Sequence, residues 1–400
     1  VDFDRALERA AALRRSNQRP PVTPEANRCL ACSLAPVCLP EEERLARDPA
    51  WDTVRLFPAD PDRLVLHIVE NGHRVSRARE RITVWNQIGE KIADHPAEQV
   101  AQVVVHGNAQ VTTQVLALCM AKDIQVHWLS PGGRYLGATT CGSGGVQRRL
   151  RQYEALAQPA LRLGLARRLV GTKIRDQVRH LLRATRGDGP RPAVSEEAIA
   201  AMRVALARVP AAQSSDELMG LEGEAAARYW SRFDGLLIDE VDPLWRFRGR
   251  SRRPPRDACN ALLSFAYQLL YRDVVAAILA VGLEPSLGFH HQARSQAYPL
   301  AEDVMELFRV PLVDLPVVAS LNRRQWTVAH ATDCGPGGWL LSDLGRRQAI
   351  EMYERRKAES WKHPVTGYSL TYARLIELEV RLLEKEYTGS AGLFARRNLR

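Results

Sequence analysis

Two hydrophobic rhythms divide the chain. Between residues 62 and 140, short apolar runs alternate with turn residues. Leu64-Val65-Leu66-His67-Ile68-Val69, Arg81-Ile82-Thr83-Val84, Gln102 to Gly107 and Ile124 to Leu129 each read as strands, and Asn71-Gly72 is a turn signal. A short helix fits Thr113 to Ala121, and Ser130-Pro131-Gly132-Gly133 turns the chain into Arg134 to Gly137. Past Cys141-Gly142-Ser143-Gly144-Gly145, read as a flexible joint, the period lengthens. Leu161, Leu165, Leu169, Ile174, Val178, Leu181 and Leu182 keep a helical spacing until Gly187 to Pro192 breaks it. Further helices fit 194–208, 213–236, 256–281, 300–309, 343–360 and 367–388. Ahead of both regions, Asp2 to Arg15 reads as an amphipathic helix, stopped by a proline-bearing stretch from Arg19 to Pro24. These patterns predict an α+β multidomain fold. It consists of a small N-terminal β-rich domain (62–140), then a larger all-α domain (146–400), preceded by a short cysteine-bearing appendage (1–48) and a linker (49–61).

The chain has 400 residues and is 46% hydrophobic, enough for a substantial core. No uninterrupted run of 18 apolar residues occurs and no signal peptide is visible, so the expectation is a cytoplasmic protein. The first residue is Val1, consistent with a chain that begins partway through a longer polypeptide. The formal charge is +10, carried almost wholly by arginine, since lysine occurs six times. Such an excess favours polyanionic partners, and arginine suits phosphate and bases. A GC-rich genome would also favour arginine, but it does not explain the net charge. Seven cysteines, three of them clustered, do not make a disulfide framework.

Four constellations could carry chemistry. In Leu221-Glu222-Gly223-Glu224-Ala225-Ala226-Ala227, a glutamate meets a turn of small residues that allow close approach, and Glu222 is placed near a helix N-terminus. An ordinary acidic helix start reads the same way. Second, Leu287-Gly288-Phe289-His290-His291 precedes a helix in which Glu302, Asp303 and Glu306 share one side. Carboxylates with an imidazole suit Mn²⁺ or Mg²⁺, and a solvated acidic face is the alternative. Third, Arg248, Arg250, Arg252, Arg253 and Arg256 fall within nine residues rich in glycine and proline, suited to a phosphate-binding loop or a solvated linker. Asn260 and Ser264 give the helix that follows one polar edge. Fourth, Cys29, Cys32 and Cys38 suggest a soft-metal or iron–sulfur site that lacks a nearby fourth ligand.

In their order and spacing these segments resemble the CRISPR-associated integrase (Cas1) family over about residues 62–395. Glu222 with Tyr229-Trp230, the run Phe247 to Phe265, Gly288 to His291 and the helix Leu300 to Arg309 carry the match. The resemblance implies metal ligands at Glu222, His291 and Glu306, where many relatives have aspartate at the third. It implies a less certain supporting metal role for Asp303, and none for His290. Residues 1–48 look like the tail of a fused CRISPR-associated RecB-like nuclease (Cas4). Three of its cluster ligands would be Cys29, Cys32 and Cys38, which implies a [4Fe-4S] cluster with a fourth ligand outside this chain.

The implied activity is CRISPR adaptation by metal-dependent transesterification, in which a DNA 3′-hydroxyl attacks a repeat phosphodiester. Arg248, Arg250, Arg252 and Arg253 would hold the backbone, and the β-rich domain would serve dimerisation and DNA contact. The implied partners are double-stranded DNA (prespacer and repeat), a second copy of the chain, the small bridging protein Cas2 and the missing nuclease portion. A metal-dependent nuclease or branched-DNA resolvase, a non-catalytic DNA-binding scaffold and a metal-sensing or redox module are the competing classes.

Overall fold

Residues 64–138 fold into two four-stranded sheets in a computed structural model, which describes residues 2–52, 54, 56–57, 63–139, 144–184, 196–292, 298–363, 366–389 and 392–396. The strands are β1 (Leu64–Ile68), β2 (Arg74–Ala78), β3 (Arg81–Trp85), β4 (Lys91–Pro96), β5 (Val100–His106), β6 (Gln110–Val111), β7 (Gln125–Leu129) and β8 (Tyr135–Ala138). One sheet runs β1-β5-β7-β8, with β1, β5 and β7 parallel and β8 antiparallel. The other runs β4-β3-β2-β6. Strand β5 is apolar on both faces because it serves two cores. Val103 and Val105 join the core of the β-rich region, while Val104 joins the larger helical core. Strands β2 and β4 escape the periodicity reading because their exposed faces carry Arg74, Arg77 and Lys91.

The helical region is arranged around Ala258–Val281. Asp257 caps this helix by accepting from the Asn260 amide at 2.7 Å, and Gly282 ends it at φ +85°. It is the one described helix long and apolar enough to cross a membrane, yet 78% of its most apolar window is buried in the protein. It is a core helix. Pro299–Glu306, Asp343–Ala358 and Tyr372–Glu386 pack against it, and Pro159–Ala184 packs against Ser215–Ser231. Two three-residue antiparallel ladders, Ala331–Asp333 with Trp339–Leu341 and Ser360–Lys362 with Ser369–Thr371, decorate the helices. They are too short to show a period. Cys141, most of the joint 141–145 and the break at 187–192 lie outside the described residues.

The β-rich and helical regions meet through buried charges. Arg272 is fully buried and pairs with Asp273 at 2.6 Å, and Lys357 reaches Asp273 at 3.1 Å. His67 on β1 bridges His106 at 3.0 Å and Glu354 at 3.2 Å. Arg272, Asp273 and Lys357 thus each have an opposite partner, as their desolvation requires. The acidic run Glu41-Glu42-Glu43 is also buried, and Glu43 pairs with Lys385 at 3.0 Å. In the segment read as a linker, the amides of Leu56 and Phe57 donate to the Tyr368 hydroxyl at 3.0 and 3.1 Å, and Phe57 is buried.

Candidate functional site

Three helices and one loop bring the acidic and imidazole groups together. Glu222 lies two turns inside Ser215–Ser231, whose N-cap is Ser214, so the helix end does not stabilise it as the sequence suggested. The long helix Pro159–Ala184 contributes Lys173, which pairs with Glu222 Oε1 and stands 2.7 Å from Glu306 Oε2. His290 Nε2 meets Glu222 Oε2 at 2.7 Å. Burial pushes the Glu222 carboxyl up, but the Lys173 charge and the His290 hydrogen bond outweigh it and hold the group well below the usual range. Glu222 is therefore ionised.

Glu306 closes the acidic helix Pro299–Glu306 and is 4% exposed. Arg309 Nε stands 2.9 Å from its Oε1. Burial raises its pKa, yet Arg309 and Lys173 together lower it below the ordinary value. Lys173 approaches Oε2 off the hydrogen-bonding axis. That oxygen is left buried without a hydrogen-bond partner among the described residues.

The His291 loop is built on Asp303. This fully buried carboxylate accepts from the Phe289 and His290 amides at 2.7 and 3.1 Å through Oδ2. Through Oδ1 it takes the His291 amide at 2.9 Å and stands 2.7 Å from His291 Nδ1. Gly288 makes this fold of the loop possible, because a Cβ there would lie 2.7 Å from Asp303 Oδ2. Burial lowers the His291 pKa, but Asp303, Glu306 and Glu222 raise it more, so the ring lies in the field of all three carboxylates. Four donors occupy the Asp303 oxygens, so its carboxylate holds the 289–291 backbone and the His291 ring in place.

The arginine loop divides by exposure. Arg248, Arg252 and Arg253 are exposed. Arg250 turns inward, donating to Asn260 Oδ1 at 2.8 Å and to the Ser251 carbonyl at 2.7 Å. Its guanidinium lies 5.5 Å from both the Trp230 and Tyr267 rings. Arg250 thus clamps loop to helix and also lines the groove that runs past the loop. A groove of about 930 Å³ runs past this loop, lined among others by Arg134, Arg252, Arg253, Arg309, Arg346 and Tyr298. Arg309 also pairs with Glu306, so the groove comes within one side chain of the acidic site.

Behind Arg309 a π-helical turn, Val310–Asp314, aims Asp314 into the core, where it accepts from the Tyr267 hydroxyl and, at 2.8 Å, from the Tyr229 hydroxyl. Burial pushes the Asp314 carboxyl up to about 6 despite these bonds. Because the folded pKa exceeds the unfolded value of 3.8, its stability contribution is complete below about pH 4 and lost as pH rises through about 6. Two pKa units correspond to about 3 kcal/mol. The stability difference between the parent and Asp314→Asn is expected to shrink by about that amount between pH 4 and 8. Urea unfolding across this range measures it, and a flat difference would show that Asp314 ionises without penalty.

Lys173, Arg309 and Asp314 carry no role in the sequence reading, and His290 is given none as a ligand. Lys173 had a signal, being the sole lysine in a helix whose other basic residues are arginines and one histidine. Among the described residues no three His, Cys, Asp or Glu side chains stand close enough to hold a metal. In the acidic site the Lys173 ammonium lies between Glu222 and Glu306. The donors still suit a divalent cation: two ionised carboxylates, one with an unsatisfied buried oxygen, and an imidazole oriented through Nδ1. Among the described residues the appendage cysteines form no group of three placed to hold a metal. Cys29 is buried with its sulfur 3.8 Å from Arg44, Cys32 is exposed and Cys38 is half-buried.

Comparison with known proteins places residues 66–355 within the family model described as CRISPR associated protein Cas1. A "CRISPR-associated exonuclease Cas4/endonuclease Cas1 fusion" from Myxococcus xanthus is 52% identical over 396 residues, covering 99% of this chain and 69% of that protein. A solved CAS1 protein from Thermotoga maritima matches 82% of this chain and 97% of its own, with TM-score 0.69 and 26% identity. A casposase bound to integration product shares the fold, with TM-score 0.73 and 19% identity over 84% of this chain and 94% of its own.

Proposed function

We infer the function from one premise: the chain belongs to the Cas1 family of CRISPR-associated proteins, a family of nuclease and integrase enzymes. We propose that it is a CRISPR adaptation integrase that joins a captured DNA fragment to a repeat by attack of a 3′-hydroxyl on a phosphodiester. The observation that carries this reading is the meeting of Glu222 and Glu306 around Lys173, with the Asp303-held His291 in the field of both, beside an arginine-lined groove.

Glu222, His291 and Glu306 would hold Mg²⁺ or Mn²⁺, which when bound supplies Lewis-acid polarisation of the phosphate. The chain's own groups do the rest. His290 keeps one Glu222 oxygen in place and leaves the carboxylate ionised. Asp303 fixes the His291 ring through Nδ1, so that Nε2 is the nitrogen left for a ligand. Arg252 and Arg253 would grip the DNA backbone without reading bases, and Arg309 would add positive charge where the groove meets Glu306. Double-stranded DNA, a second copy of the chain, Cas2 and a fused nuclease portion are the proposed partners, following the family resemblance.

Two expectations test this reading. Metal-dependent joining of a 5′-labelled fragment with free 3′-hydroxyls to a repeat-containing plasmid separates integration from hydrolysis, because a nuclease or resolvase leaves the label unattached. Replacing Arg252 and Arg253 together with alanine is expected to weaken DNA binding equally for all sequences and to flatten its logarithmic salt dependence by about 2. Fluorescence anisotropy at several salt concentrations measures this, and an unchanged slope removes both residues from the interface.

A further inference from the structure

The structure puts a lysine where a metal centre has its cation. Lys173 is 11% exposed in its side chain, and its ammonium contacts Glu222 Oε1 and stands 2.7 Å from Glu306 Oε2. These carboxylates come from different helices, and each is largely buried. Two such charges repel unless a cation stands between them. Arg309 neutralises Glu306 from the other side, and its guanidinium lies 4.7 Å from the Tyr267 ring centre, which fixes it. Lys173 is the movable member of the pair: a compact ammonium on a flexible four-carbon stem. Its approach to Glu306 Oε2 makes no hydrogen bond, so that oxygen is neutralised but not satisfied.

We propose that Lys173 is the resident counter-cation of the site and that an arriving divalent metal displaces its ammonium from between Glu222 and Glu306. The proposal rests on the reading that Glu222, His291 and Glu306 hold such a metal. It has two consequences. The metal-free site is a neutralised, folded arrangement in place of two opposed carboxylates. Metal affinity is held below what the same ligands would show without the lysine, because one cation must leave for another to enter. The displaced ammonium stays tethered beside the site, available to a phosphate oxygen of bound DNA.

Isothermal titration of the full chain with Mn²⁺, without DNA, tests this in the parent, Lys173→Met and Glu222→Gln. In Lys173→Met the affinity for Mn²⁺ is expected to tighten about tenfold or more, as follows from removing a unit charge within a few ångströms of the incoming ion. In chelator the same variant is expected to melt at a lower temperature than the parent, and Mn²⁺ is expected to raise its melting temperature by more. Glu222→Gln is expected to weaken Mn²⁺ binding. Should Lys173→Met not fold, Lys173→Gln, which keeps a donor for Glu222, carries the same expectation. If the parent binds Mn²⁺ and Glu222→Gln weakens it, but the lysine variants bind no tighter, the counter-cation proposal alone is overturned. If the parent binds no Mn²⁺, or Glu222→Gln leaves binding unchanged, the metal reading falls and the proposal with it.

Discussion

Alanine at Glu222 or at His291 is expected to lower metal-dependent strand joining about 1000-fold or more, with DNA binding close to that of the parent. Lewis-acid assistance is worth several kcal/mol, and each 1.36 kcal/mol is tenfold in rate. Neither residue lines the arginine groove, so the backbone grip should survive. The two variants should differ in stability. Glu222→Ala leaves Lys173 with Glu306 alone and removes the partner of His290 Nε2. His291 is 30% exposed in its side chain and its removal frees Asp303 from one of four contacts, so His291→Ala should disturb the fold less. Gel analysis of joined product against time measures the loss, and anisotropy measures binding. Joining within tenfold of the parent in either variant would remove that residue from the reaction.

The second large effect is expected at Asp303, whose oxygens are taken up by the 289–291 loop. Asp303→Asn keeps the shape of the side chain but turns one acceptor oxygen into a donor, facing donors from the 289–291 backbone and the His291 ring. Replacing the partner of a metal-binding histidine lowers metal affinity or activity by roughly 10- to 100-fold. Joining should fall by that amount at limiting metal and recover in part as Mg²⁺ or Mn²⁺ is raised. Glu222→Ala should show no such recovery. A deficit in Asp303→Asn that ignores metal concentration would mean that Asp303 supports the fold and not His291.

What the sequence made legible follows from physical range. Strands β1, β3, β5 and β7 and the main helices announce themselves because their apolar periods are local. The order of Glu222, the arginine loop, His291 and Glu306 along the chain is likewise visible, and the family resemblance gives it meaning. Pairings between distant segments leave no local pattern. Lys173 lies 49 residues before Glu222, and its ion pair exists only once the helices pack. His290 and His291 are neighbours in sequence, yet the loop turns one toward Glu222 and the other toward Asp303. Asp303 and Glu306 share a helix face, and only the donors around each show that Asp303 is spent on the loop. Arg250 looks like its exposed neighbours in composition, and Asn260 draws it inward.

Strand transfer reads directly whether this site joins DNA ends. A fragment with labelled 5′ ends and free 3′-hydroxyls is incubated with a repeat-containing plasmid and the full chain, supplemented with the proposed partner Cas2, in Mg²⁺ or Mn²⁺ and in chelator. Label is expected to be covalently attached to the plasmid only when metal is present, and not at all with Glu222→Ala. Label released as short products with none attached, or attachment that persists in chelator, would contradict it.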